Sequence, residues 1–184
     1  MSHMEYNPQS TAVIVVDMQN DFCHPDGELY AEASEDAIEG VNAVLEATEG
    51  VDLTIFTQDT HDINSPEFEQ WGEHCVHDTW GQEIHDGVSE PADTVVRLIE
   101  KNTYDAFFDT DLERLLRING IDTIIICGTL ANVCVQETAS SASLNGYDVS
   151  VVEDAVGYID EEQRDSALDH IDFLIGDLVE TTDL

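Results

Sequence analysis

Three side chains in this 184-residue chain stand at the ends of apolar runs, and their types could do chemistry together. Cys134 ends the stretch IIICGTLANVC, in which a strand-like run, a glycine turn and the expected entry to a helix follow in order. A thiol at a helix N-terminus sits in positive backbone potential, which lowers its pKa toward the thiolate. Free N–H groups in the same turn can hold an oxyanion. Asp17 ends VIVVD, where a carboxylate is partly buried and therefore suited to act as a general base. Lys101, in LIEKNTYDAF, is the chain's only lysine and follows an apolar run in the same way. A nucleophile, a base and an electrostatic helper are the parts that covalent catalysis requires. Each residue also has a plainer role: a small buried hydrophobe for Cys134, a turn or N-cap for Asp17, a surface cation for Lys101.

A second group lies in QDTHDINSPEFEQWGEHCV, where Asp59 and His61 are spaced D-x-H and His74 follows thirteen residues later. One carboxylate and two imidazoles suit Zn²⁺, with Mn²⁺ or Fe²⁺ as alternatives, and leave positions for water. Acid-rich chains also generate D-x-H by chance. His24, His77 and His85 read as solvated loop residues.

Strand and helix patterns alternate around these positions. TAVIVV (11–16), VDLTIFT (51–57), TVVRLIE (94–100), DTIIICG (122–128) and DVSVVED (148–154) read as strands, the first a β-branched run expected to be buried on both faces. Helical spacing covers 34–48, with Ser34 as N-cap, 110–120, closed by Gly120, 133–146, closed by Gly146, and 160–171. The tail FLIGDLVET fits no single pattern. Single helices between strands imply right-handed crossovers and a mostly parallel sheet covered on both faces. Sites in such sheets lie beyond the carboxyl ends of the strands, which is where Asp17, Asp59, Lys101 and the segment 129–134 fall. The long irregular segment 58–93 is the kind of loop that is usually functional.

Composition narrows the setting. Forty-one carboxylates against five basic residues give a formal charge of −36. Self-repulsion on this scale destabilises a compact state at low salt and is screened at high salt, so we expect a cytoplasmic protein of an extreme halophile. Nucleic acid and anionic membranes are excluded as partners by the lack of clustered Lys and Arg. No apolar run is long enough for a membrane span, and MSHM reads as a tag remnant, leaving 5–184 as one domain. The four cysteines form no C-x-x-C pair and are expected to be free, with Cys75 and Cys127 as structural thiols.

VIVVDMQNDF, KNTYDAFFDTDLERLLR and ICGTLANVCVQETASSASLNGYDVSVVEDAVG resemble the isochorismatase-like cysteine hydrolases, in order, over about residues 11–157. The resemblance implies a three-layer α/β/α sandwich around a mostly parallel, about six-stranded sheet. It also implies Asp17 as base, Lys101 as activating cation and Cys134 as nucleophile. A cis peptide at Thr129–Leu130 and an oxyanion hole made by the Leu130 and Cys134 N–H groups are implied as well. QDTH and EHCV resemble the nicotinamidase branch. They imply Asp59, His61 and His74 as ligands of a divalent metal, with Phe22 and Trp71 flanking a pyridine ring. The implied reaction is hydrolysis of nicotinamide, a small-molecule amide, to nicotinate and ammonia through a thioester. The alternative is a metal-free isochorismatase-type, ureidoacrylate or carbamoyl-amide hydrolase, and a binding module without chemistry is the non-enzymatic reading. Homo-oligomers are common in the family.

Overall fold

The computed structural model describes residues 6–184, so the tag-like residues 1–4 lie outside the described part. In chain order the elements are β1 (Thr11–Val16), α1 (Asn20–Cys23), α2 (Glu32–Ala47), β2 (Leu53–Asp59), α3 (Phe68–Trp71), β3 (Val95–Lys101) and α4 (Leu112–Ile118). They continue with β4 (Thr123–Gly128), a π turn at Ala131–Val135, α5 (Gln136–Leu144), β5 (Asp148–Val156), α6 (Glu161–His170), a second π turn at Ile171–Ile175 and β6 (Asp177–Val179).

All six strands pair in parallel, in the order β3-β2-β1-β4-β5-β6. The β-branched run of β1 is fully buried because the alternating faces of the central strand feed two cores. Ala12, Ile14 and Val16 pack with Leu112, Leu116, Ala139 and Leu168 of α4, α5 and α6. Val13 and Val15 pack on the other side with Ala37, Val41 and Val44 of α2. The result is the three-layer sandwich with helices on both faces. The chain leaves β1 toward β2 and β3, then crosses back to β4 on the other side of β1. The carboxyl ends of β1 and β4 thus flank the crevice where the strand order reverses.

The structure departs from the sequence pattern at several places. α2 begins at Glu32 with Ala31 as its N-cap, whereas Ser34 is drawn inward and shares a 2.6 Å hydrogen bond with Thr129 Oγ1. The edge strand β3 is covered less than a two-faced sheet predicts, with Leu98 52 % exposed. The ambiguous tail divides into the second π turn and β6. No helix among the described residues is long and apolar enough to cross a membrane.

Candidate active site and metal centre

Four strand ends build the site. β1 runs into Asp17, whose backbone turns out of the strand at φ +49°. β3 ends on Lys101, and β2 ends on Asp59 directly beside it in register. β4 ends on Gly128, at φ +115°, where a side chain would collide with the Val16 backbone. Beyond it the Thr129–Leu130 peptide is cis. This turn is tied to both neighbouring strands: Thr129 N–H donates to Val16 O at 2.9 Å, and Ala131 N–H to Gly157 O at 2.8 Å. Cys134 follows in the π turn that leads into α5.

Sequence separation therefore becomes contact. The Lys101 ammonium lies 2.7 Å from Asp17 Oδ2, 3.5 Å from Asp59 Oδ1 and 3.6 Å from Cys134 Sγ. The Lys101 and Asp17 side chains are fully buried. Burial alone would lower the ammonium, but Asp17, the sulfur and Asp59 outweigh it and hold the group well above the usual lysine range. Burial raises Asp17, with Lys101 opposing. Asp59 would also be raised by burial, but Lys101, His61 and His74 hold it below the usual carboxylate range.

Cys134 corrects an expectation. Its position before a helix predicts a lowered thiol, yet burial pushes it well above its ordinary value, and Asp17 and Asp59 add to that, against the pull of Lys101. Two carboxylates and a dry environment outweigh one ammonium and a helix terminus. Ionising this sulfur therefore requires a neighbour that takes its proton. Among the described residues the Leu130 N–H donates to nothing, and the Cys134 N–H to nothing outside its own helical segment. Both N–H groups lie in the turn that carries the sulfur.

The second group is equally compact. His61 Nε2 and His74 Nε2 lie 3.0 and 3.4 Å from Asp59 Oδ2. Ligand atoms of Asp59, His61, Glu67 and His74 all fall within 4.8 Å of one another. His74 Nδ1 donates to Gly72 O at 2.8 Å, which leaves its Nε2 lone pair free for a cation. Two buried imidazoles, the buried Asp59 carboxylate and the half-buried Glu67 carboxylate fit a divalent ion. Glu67 escaped the sequence reading because its spacing from Asp59 and His74 matches no short motif; the loop around α3 brings it in.

Other residues of the motifs hold this group in place. The Gln19 side chain donates to Asp59 O and accepts from Asp59 N–H at 2.8 and 2.7 Å, pinning the end of β2 to the segment after β1. Asp21 Oδ2 accepts from Cys75 N–H at 2.6 Å and so anchors the HCV segment. These roles lie inside DMQND, yet nothing in the residue types alone identifies what they bind.

One cavity joins the two groups, lined by Cys134, Leu130, Asp59, Glu67, His74, Phe22, Trp71 and Tyr104 among others. Trp71, on α3, donates its indole N–H to Tyr104 Oη at 2.9 Å. Phe22 stands on α1 with its ring 6.0 Å from that of His74. His24, His77 and His85 lie outside the cluster and are partly or well exposed.

Among the described residues all four cysteines are free and buried. Burial pushes Cys23 and Cys127 up to about 12 from 9.0. The folded protein then keeps protons that the unfolded chain releases above pH 9, so stability is full below that pH and falls as pH rises. Chemical unfolding at pH 10 should show a loss of about 1 kcal/mol for each of these two thiols relative to pH 8, and Cys127→Ala should remove its share of the slope.

Residues 11–183 match the isochorismatase domain family. The chain is 27 % identical over 186 residues to the nicotinamidase of Escherichia coli (strain K12), covering 85 % of this chain and 87 % of that protein. The crystal structure of pyrazinamidase of Pyrococcus horikoshii in complex with zinc superposes with a TM-score of 0.83 at 34 % identity, covering 93 % of this chain and 99 % of that one. The N-carbamoylsarcosine amidase of Thermoplasma acidophilum gives 0.82 at 31 % identity, with 95 % and 98 % covered. With its sheet order, its strand-end residues and a family match over nearly the whole length, the chain belongs to the isochorismatase family of hydrolases and is an amide hydrolase.

Proposed function

We propose that the protein is a nicotinamidase-type cysteine amidohydrolase, converting nicotinamide and water to nicotinate and ammonia. The observation that carries this reading is the single cavity onto which Cys134, the Asp59–His74 pair and the aromatic side chains Phe22 and Trp71 all open. A nucleophile beside two flat aromatic side chains suits a planar aromatic amide. No Lys or Arg lines that cavity among the described residues, while Asp59 and Glu67 do. Two carboxylates on the lining suit an uncharged amide.

In this reading Asp17 takes the thiol proton as Cys134 attacks the amide carbon, and Lys101 stabilises the sulfur anion that develops. The Leu130 and Cys134 N–H groups receive the oxyanion. Asp17 then delivers its proton to the departing ammonia and afterwards activates the water that cleaves the thioester. Asp59, His61 and His74, with Glu67 beside them, would hold the metal, zinc first and Mn or Fe as alternatives. Bound there, such an ion would supply a Lewis-acidic position that orients the substrate ring. Phe22 and Trp71 flank the ring and exclude water.

The setting we infer is NAD salvage in a salt-rich cytoplasm, supported by the charge of −36. Residues 5–184 act there as one domain on a small uncharged amide, with neither nucleic acid nor membrane as partner. Protein purified in high salt should contain about one equivalent of divalent metal, and it should release ammonia from nicotinamide. A chelator should abolish ammonia release from nicotinamide. Metal-free protein that hydrolyses a carbamoyl amide or isochorismate and leaves nicotinamide intact would establish the alternative.

A further inference from the structure

We infer that Thr57 is the positioning residue that fixes the Asp17 carboxylate against Lys101 for its proton exchange with Cys134. The inference rests on the reading of Asp17 as the base for Cys134. Thr57 lies on β2, one residue beyond the Val15–Phe56 pair of the β1–β2 register, and is completely buried, as is Asp17. Its hydroxyl oxygen stands 2.5 Å from Asp17 Oδ1 and 3.1 Å from Asp17 N. A hydroxyl has one hydrogen. The Asp17 N–H can only donate, so the Thr57 oxygen accepts from it, and the single hydroxyl hydrogen is committed to Oδ1.

The hydroxyl thereby holds Oδ1, fixes the rotation of the carboxylate and turns Oδ2 toward Lys101. Oδ2 is fully buried and pairs with the Lys101 ammonium at 2.7 Å, which in turn contacts Sγ. The exchange balances: the S–H bond breaks and an O–H bond forms on the Asp17 carboxylate, leaving the sulfur anion beside the ammonium. Later that O–H bond breaks as an N–H bond forms on the leaving ammonia. Thr57 also holds the Asp17 backbone at its φ of +49°, so one side chain sets both the position and the rotation of the carboxylate. The other ionisable groups facing Asp17 are the Asp59 carboxylate on β2, the Cys134 thiol and the thiols of Cys23 and Cys75.

The test compares Thr57→Ser, which keeps the hydroxyl, with Thr57→Val, which keeps the shape. Steady-state hydrolysis and the rate of Cys134 alkylation by iodoacetamide are followed against pH, with thermal melting alongside. Thr57→Ser should stay within about threefold of the parent, and Thr57→Val should lose about ten- to a hundredfold in kcat with little change in KM. The acid limb of both pH profiles should move to higher pH in Thr57→Val, because the carboxylate loses the donor that favours its ionised form. If valine prevents folding, Thr57→Cys, a weak donor, provides the same comparison. Unmoved pH profiles with only a lower melting temperature would overturn the inference, as would a serine variant as impaired as the valine one. An Asp17→Asn protein whose alkylation profile matches the parent would instead defeat the base assignment, and this inference with it.

Discussion

Cys134→Ala is expected to lower amide hydrolysis by about 10⁴-fold or more, since removal of a nucleophile eliminates the covalent route. The fold should change little. The side chain is small, and its loss opens at most a small cavity, costing on the order of 1 kcal/mol. The same substitution should abolish labelling by iodoacetamide at neutral pH, because Cys134 opens onto the cavity beside Lys101 while Cys23, Cys75 and Cys127 are buried outside its lining. Ammonia release measured with mass spectrometry of the alkylated protein checks both parts. Near-normal turnover in the alanine variant would remove Cys134 from the chemistry, and with it the thioester mechanism.

Lys101→Met should damage stability and activity together. The ammonium stands between Asp17 and Asp59 with its side chain fully buried. Removing it leaves two carboxylates in the same dry region without their cation, and breaking a buried ion pair in this way costs about 3–5 kcal/mol. Activity should fall by at least about a hundredfold, because the developing sulfur anion loses its one cationic side-chain neighbour and Asp17 is driven further toward its protonated form. The stability deficit has a definite sign against pH. Asp17, already raised in the folded state, would be raised further without Lys101. The folded variant would then hold a proton that the unfolded chain gives up near pH 4. The deficit should therefore be small in acid and grow as pH rises. A double-mutant comparison separates the two effects: adding Asp17→Asn to Lys101→Met should recover part of the stability, while hydrolysis stays lost. Urea unfolding at acidic and neutral pH, read with ammonia release, checks this. A Lys101→Met protein as stable as the parent at neutral pH would contradict the buried triad.

Much of the architecture was legible in the chain because it depends on local pattern. The apolar runs at 11–16 and 123–128 are continuous, as central strands buried on both faces require, and the helical periods between strands force parallel crossovers. Gly120 and Gly146 mark helix ends that need positive φ, at +69° and +86°. The same rule placed Asp17, Asp59 and Lys101 at one end of the sheet, since each stands at or just after a strand terminus. Ser34 shows the limit. As an N-cap it would have followed helix chemistry alone, but Thr129, ninety-five residues away, offers a buried hydroxyl that only the packed fold brings near.

What the sequence by itself determined is the order of elements, the acidic character of the surface and the residue types that gather at the carboxyl ends of the strands. Those features depend on side-chain periodicity, turn chemistry and composition, each read within a few residues. Tertiary structure alone decided that Glu67 joins Asp59, His61 and His74, that Thr57 grips Asp17, and that burial raises the Cys134 thiol above its ordinary value. Each of these depends on distances between groups far apart in the chain and on the removal of water around them. Electrostatic energies vary inversely with distance and with the local dielectric, and neither quantity exists until the strands have packed.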